Sequence, residues 1–156
     1  MVTIAKRKNI PESKYLKGLN EAVENIQEAV DNLEHGSVVG LANALLYIAT
    51  ESQQRAPIDT GDLRGSVEVK INNESYAKGQ SGGGITVNGT IPDNHENETV
   101  IGEVSYNTKY AANQHEHTEY DHPKGGQAKY LESVLVEEKD RILKLIAEGI
   151  INEMMK

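Results

Sequence analysis

The sequence predicts an α+β domain, with long helices packed on one face of a small antiparallel sheet. Three observations carry that expectation. Apolar residues recur every three or four positions from Leu16 to Ala49, the period drops to two at Val67, Val69 and Ile71, and helical spacing returns from Gln127 onward. Helices, then strands, then a helix indicate segregated layers, not alternating β and α units. At 156 residues the chain fits a single domain, 1–156, long enough to bury a sizeable core.

Residues 1–10 form a mobile arm in this reading, with the basic cluster Lys6-Arg7-Lys8, and Pro11 suits a first helical turn capped by Asn9 or Ser13. The first helix carries Leu16, Leu19, Val23, Ile26, Val30 and Leu33 as a narrow heptad seam flanked by Glu21, Glu24, Glu28 and Asp31. That seam suits either a second helix of the same chain or a neighbouring subunit. Gly36 reads as the end of this helix and Ser37 as the cap of the next. The second helix, with Val38, Leu41, Ala42, Leu45, Leu46, Ile48 and Ala49, has a wider apolar face and is expected to be the more buried.

The run Ala56-Pro57-Ile58-Asp59-Thr60-Gly61-Asp62-Leu63-Arg64-Gly65-Ser66 turns the chain from helix to strand. Pro57 lacks an N–H and clashes with the preceding turn, so the helix ends near Arg55. Asp59 and Thr60 can fold their oxygens onto backbone amides, Gly61 can adopt a positive φ, and Gly65 permits a second bend. Leu63 is left to plug the corner into the core. Arg64 could clamp Asp59 or an acidic neighbour with its bidentate fork.

Val67, Val69 and Ile71 then alternate with Glu68 and Lys70, the mark of a strand with one wet face. Residues 72–84 read as a mobile, glycine-rich loop with no evident partner in its own chain, either a floppy hairpin tip or a loop that orders against another subunit or lines a passage. Ile85, Val87 and Ile91 continue the sheet, and Val100 to Tyr106 supply a third strand. Pro92 to Glu98 is a polar loop, and Tyr110 to Glu116 a short helical turn. From Gln127 a single last helix presents Leu131, Val134, Leu135, Ile142, Leu145, Ile146, Ile150 and Met154 on one face, with Glu137 and Arg141 spaced for a surface ion pair.

Composition narrows the chemistry. There is no Phe or Trp and there are seven Tyr, so aliphatic residues must supply most of the core; the absence of Cys excludes disulfides and thiolate metal sites. A net charge of -8 repels phosphate and weighs against a broad nucleic-acid footprint. No run of about 18 apolar residues is present, and Met1 to Lys8 lacks the apolar region of a secretion signal. The expectation is a soluble protein made inside the cell, with no membrane partner. Three glycosylation-type triplets, at Asn73, Asn88 and Asn97, carry no meaning without such a signal.

The densest polar cluster is His115-Glu116-His117-Thr118-Glu119-Tyr120-Asp121-His122. Imidazole and carboxylate are ordinary zinc ligands, so a small metal-binding module or metal-dependent enzyme centred on His115 to His122 is one reading. Its spacing is not that of two histidines on one helical face with a glutamate between them. Asp59, Asp62 and Glu68 fit turn and capping roles better than paired acids, and no phosphate loop, dinucleotide fingerprint or serine elbow is present. No catalytic residue and no cofactor are assigned.

The corner resembles the Ala-Pro-x-Asp-Thr-Gly-x-Leu-Arg-x-Ser signature of a family of tailed-bacteriophage proteins called tail-completion, head-tail joining, neck or minor capsid proteins. Its residues here are Pro57, Asp59, Thr60, Gly61, Leu63 and Arg64. A second block follows in the family's order, through Tyr110-Ala111, His115-Glu116, His122-Pro123 and Gly126-Gln127-Ala128-Lys129-Tyr130-Leu131-Glu132. The resemblance covers residues 12 to 155 and departs from the family pattern in the Gly- and Asn-rich run Ser75 to Asn97. It implies a virion structural protein without enzymatic activity, made in the host cytoplasm and placed at the head-tail junction. The implied partners are other copies in a ring, the head connector, and tail tube or terminator proteins, with genomic DNA passing nearby without sequence-specific binding. In that family the His-Glu and His-Pro segment is a structural lead into the last helix.

Overall fold

The structure, a computed structural model, describes residues 14–58, 61–93 and 99–156, without the side chains of residues 14–21 and Val30. The basic arm, the proposed caps at Asn9 and Ser13, Asp59, Thr60 and part of the polar loop after Pro92 lie outside the described residues. The elements are α1 (Lys14–Arg55), α2 (Asp62–Gly65), β1 (Val67–Ile71), β2 (Glu74–Gly79), β3 (Ile85–Val87), β4 (Gly102–Tyr106), α3 (Ala111–Glu116), α4 (Tyr130–Glu137) and α5 (Lys139–Met154). The predicted class holds: helices pack against a small sheet in which every neighbouring pair is antiparallel.

Two helices were expected before the corner, and one is found. α1 runs unbroken for 42 residues, about 63 Å at 1.5 Å per residue. Gly36 does not end it because its lack of a side chain serves packing instead: a Cβ there would fall 2.8 Å from the Ile150 Cα of α5. The Ser37 hydroxyl donates back to the Glu34 carbonyl at 2.7 Å, within the same helix, and caps nothing new. Pro57 does stop α1, and the last helical bond runs from Ala56 N–H to Ser52 O at 2.8 Å.

The expected single last helix is in fact two. Lys129, at φ 54, opens α4, and Glu138, at φ -103 and ψ 16, breaks the helix before α5. This kink lets α4 pack on the C-terminal half of α1 while α5 runs back along it. Glu137 does not pair with Arg141; it takes Arg55 of α1 at 2.6 Å, and Arg55 also reaches Glu138 at 3.2 Å.

The sheet has four strands in the order β3-β2-β1-β4. The extra strand, β2, lies inside the stretch expected to be loop. Asn72 and Asn73, both with positive φ, make a two-residue turn whose twist suits a hairpin, so pairing resumes at once. Ile91 and Val100, expected in strands, lie outside them and pack partly on the core.

Val67, Val69 and Ile71 are buried against Ala42, Leu45 and Ala49 of α1, and Tyr76 and Ala77 of β2 complete this core. Glu68 is on the other face, with Lys78 at 3.6 Å, Lys70 at 3.8 Å and an Asn107 amide at 3.1 Å. A second, smaller core of Ala56, Leu63, Ala111 and Tyr130 lies under the corner.

Candidate functional site

The corner is organised by α1's last carbonyls. A helix C-terminus leaves its final carbonyls unpaired. Arg64 satisfies two of them, donating from its Nε and terminal nitrogen to Ala56 O at 3.0 and 2.9 Å and from that nitrogen to Gln54 O at 2.8 Å. Its Nε and one terminal nitrogen thus serve a helix end, while the expected clamp on Asp59 falls on a residue outside the described ones. Gly61 has φ 90, the left-handed conformation expected of it, and a Cβ there would meet Ser81 O at 2.5 Å. Leu63, 4 % exposed, plugs the small core as anticipated.

Gln53 ties the glycine-rich turn to this corner. Buried at 3 % exposure, it donates to Arg64 O (2.9 Å) and Gly84 O (3.0 Å) and accepts from Gly84 N–H (2.8 Å). The stretch is a hairpin tip, as one of the two readings had it, but not a floppy one without a partner in its own chain: Gln53 pins it to α1, and Gln80 N–H also donates to Gly84 O at 3.0 Å.

The later block closes on the same corner. Gly126, φ 95, lies so close that a Cβ would sit 2.4 Å from Pro57 Cα. Ile58 N–H donates to Gly125 O at 3.1 Å and Gln127 N–H to Arg55 O at 2.8 Å. Between these segments opens a cleft of about 420 Å³ walled by Pro57, Ile58, Leu63, Tyr110, His122 and Pro123, with Asp62, Gln114, Asp121 and Lys124 supplying its polar lining. The His122 Nε2 is shut off from solvent and has no hydrogen-bond partner among the described residues.

His115 does not turn into this cleft. Its Nδ1 lies 2.7 Å from the Glu116 carboxylate, and its Nε2 accepts the backbone N–H of Glu132 at 3.3 Å in the first turn of α4. The tautomer that fits protonates Nδ1. The ring stands edge-on to Tyr130, which stands edge-on to Tyr106, both at 4.9 Å between centroids. Tyr130 donates to Ala111 O (2.9 Å), and Tyr106 shares a 2.8 Å hydrogen bond with Ser52. Burial, reinforced by the Glu116 charge, pushes the Tyr130 hydroxyl up to about 12. Lys129, then His115, hold the Glu116 carboxyl below its ordinary range. Leu131 packs on the same small core.

Both ring nitrogens of His115 are thereby engaged in the fold. His117 turns to Glu119 (2.5 Å) and stacks on Tyr120. Among the described residues no three of His, Asp and Glu are grouped to hold a metal ion. No helix among them is long and apolar enough to cross a membrane.

Sequence reasoning gave no buried role to Ser52 and Gln53, and named Gly126 as part of the second block without its contact to Pro57. A signal for the first two was present: the buried face Ala42, Leu45, Ala49 continues at helical spacing to positions 52 and 53, so polar residues there had to find buried partners. For Gly126 the contact itself left no local signal, since it depends on residues some seventy positions earlier. No protein-family model, curated protein or solved structure matches the chain.

Proposed function

We propose that this chain is a virion structural protein of a tailed phage. It serves as one subunit of a ring at the head-tail junction that completes the tail or joins it to the head connector, and it is not an enzyme. The observation that supports this reading is the convergence of the two blocks that carry the resemblance. Pro57 and Leu63 from the first meet Tyr110, His122 and Pro123 from the second around one cleft. Two strings matched by chance have no reason to build a common surface. Their polar members spend their bonds on helix ends, as Arg64 does on α1 and His115 on α4, which suits a scaffold.

Exposed apolar residues add to the support. Ile58 and Tyr110 stand open on the rim of the cleft, and Ile26 and Leu33 of the heptad seam are open on α1. Neighbouring copies or junction proteins would cover such residues. The net charge of -8 suits a surface along which DNA slides without sticking, and suits solubility equally well.

Native mass spectrometry of the full chain, alone and with the connector and tail proteins of its phage, tests the reading. A closed ring, or a ring-on-ring complex, is expected. A monomer in every mixture, together with absence from purified particles, would overturn it.

A further inference from the structure

The sheet ends in two strand edges that complement each other. With the order β3-β2-β1-β4 and every neighbour antiparallel, β3 and β4 run in opposite directions. A second copy placed beside the first in the same orientation therefore brings its β3 antiparallel to the first copy's β4. Four alternating strands make this possible; an odd number would present parallel edges.

The hydrogen-bond phase of each edge follows from its ladder. Asn72 N–H donates to Ile101 O (2.8 Å) and Asn107 N–H to Ser66 O (3.2 Å), which puts the hydrogen-bonded pairs of the β1–β4 ladder at Lys70/Glu103 and Glu68/Ser105. The backbone groups of Gly102, Val104 and Tyr106 consequently point away from β1, out of the sheet. In the β2–β3 ladder, Gln80 N–H donates to Gly84 O (3.0 Å) and Asn88 N–H to Tyr76 O (3.0 Å), so Ile85 and Val87 point outward in the same way. Among the described residues neither edge has a further strand beside it. β4 also lacks the Pro, Lys or bulge that commonly blunts an edge, and the sheet's one register shift lies in the interior, between β1 and β2.

We propose that in the ring β3 of one copy pairs with β4 of the next, so that a single antiparallel sheet runs from subunit to subunit. The inference rests on the ring reading and specifies its seam. In register, Ile85 and Val87 exchange bonds with either Val104 and Gly102 or Tyr106 and Val104 of the neighbour. All of these side chains project to the α1 side of the sheet. Val87, 48 % exposed there, is covered in the process. On the other face Thr86 stands opposite Glu103 or Ser105, so no like charges meet. A seam of roughly four hydrogen bonds is too small to hold two copies alone, and closure adds one seam for each subunit. Two-fold pairing of β4 with β4 would leave β3 and Val87 open in both copies.

The chain has no cysteine, so introduced thiols report without background. Two full-length double variants, Thr86→Cys/Glu103→Cys and Thr86→Cys/Ser105→Cys, sample the two registers. Each is oxidised over a rising series of protein concentrations, since disulfide trapping captures a contact that is populated only briefly. The expected result is a reducible ladder of dimers, trimers and higher species for one double variant. The single variants, and a control pairing Thr86→Cys with Asn43→Cys on the exposed surface of α1, stay monomeric. Equal dimerisation of a single Glu103→Cys or Ser105→Cys variant would overturn the proposal in favour of a two-fold β4 seam. Failure of both double variants to exceed the control would overturn it outright. Native mass spectrometry of the unaltered protein with its junction partners separates the two ideas. A ring whose subunits do not cross-link through these positions sinks the seam and leaves the ring, whereas a cross-linked chain that never closes sinks the ring.

Discussion

Gly40 of α1 and Gly149 of α5 meet backbone to backbone. A Cβ built on Gly149 would lie 2.4 Å from the Gly40 Cα, and one on Gly40 would lie 2.4 Å from the Ile146 carbonyl oxygen. With Gly36 one turn away, these glycines let α5 lie directly on α1, and they explain why a helix as long as α1 tolerates them. In an open helix, Gly→Ala would stabilise by about 1 kcal/mol through propensity. Here the obstacle is backbone, so overpacking dominates and Gly149→Ala is expected to destabilise by about 1–3 kcal/mol. Chemical denaturation checks this, and a stabilised variant would mean the helices separate at little cost.

Gly61 and Gly82 form a matched comparison at the corner. Gly61 has φ 90 and a neighbour 2.5 Å from its missing Cβ, while Gly82 has open space around it. Gly61→Val is expected to lower the melting temperature, by the equivalent of at least about 1 kcal/mol, and Gly82→Ala to leave it nearly unchanged. Equal melting curves for Gly61→Val and the parent would remove the left-handed turn from the account.

Arg64→Lys should behave as a loss and not as a conservative change. An ammonium cannot reproduce the fork that reaches both Ala56 O and Gln54 O. Leaving Ala56 O unpaired is expected to cost about 1–3 kcal/mol. Calorimetry of Arg64→Lys beside Arg64→Ala tests this, the expectation being that lysine recovers little of the deficit.

Glu68 gives the fold a defined acid sensitivity. The neighbouring Ser75 hydroxyl, followed by Lys70 and Lys78, holds its carboxyl below the ordinary 4.5 against the opposing effect of burial. A depressed folded-state value means that the unfolded chain binds the proton more readily. The stabilisation is therefore complete above about pH 5 and is lost as pH falls through the folded-state value. Melting curves of Glu68→Gln and parent should differ most near neutrality and converge in acid. A constant gap across that range would show that the charge is not responsible.

The histidine segment gives a test by metal removal. With His115 engaged at both nitrogens, excess chelator is expected to leave the melting curve unchanged. Loss of a stoichiometric ion together with stability would instead favour a metal-binding module at His115 to His122.

Local patterns were legible where the physical cause is local. The period-two run at Val67 to Ile71 determined β1 and its buried face, because alternation leaves a strand only one way to bury three aliphatic side chains. Pro57 determined where α1 stops, and the sterics around Gly61 determined its left-handed turn. The α+β class followed from the order of these periods. The same reasoning placed a helix break at Gly36, since a glycine followed by a serine looks alike whether it ends a helix or admits another backbone. The choice depended on Gly149 and Ile150, more than a hundred residues later. Likewise, the ordering of the glycine-rich turn depended on Gln53, and the cleft on Gly126 lying against Pro57. By itself the sequence determined what each segment can do with its own backbone and neighbouring side chains. Only the tertiary structure decided which glycines are contacts and which are turns, which buried polar groups are satisfied and by whom, and which two strands are left at the edges, because each of these depends on groups brought together from distant parts of the chain.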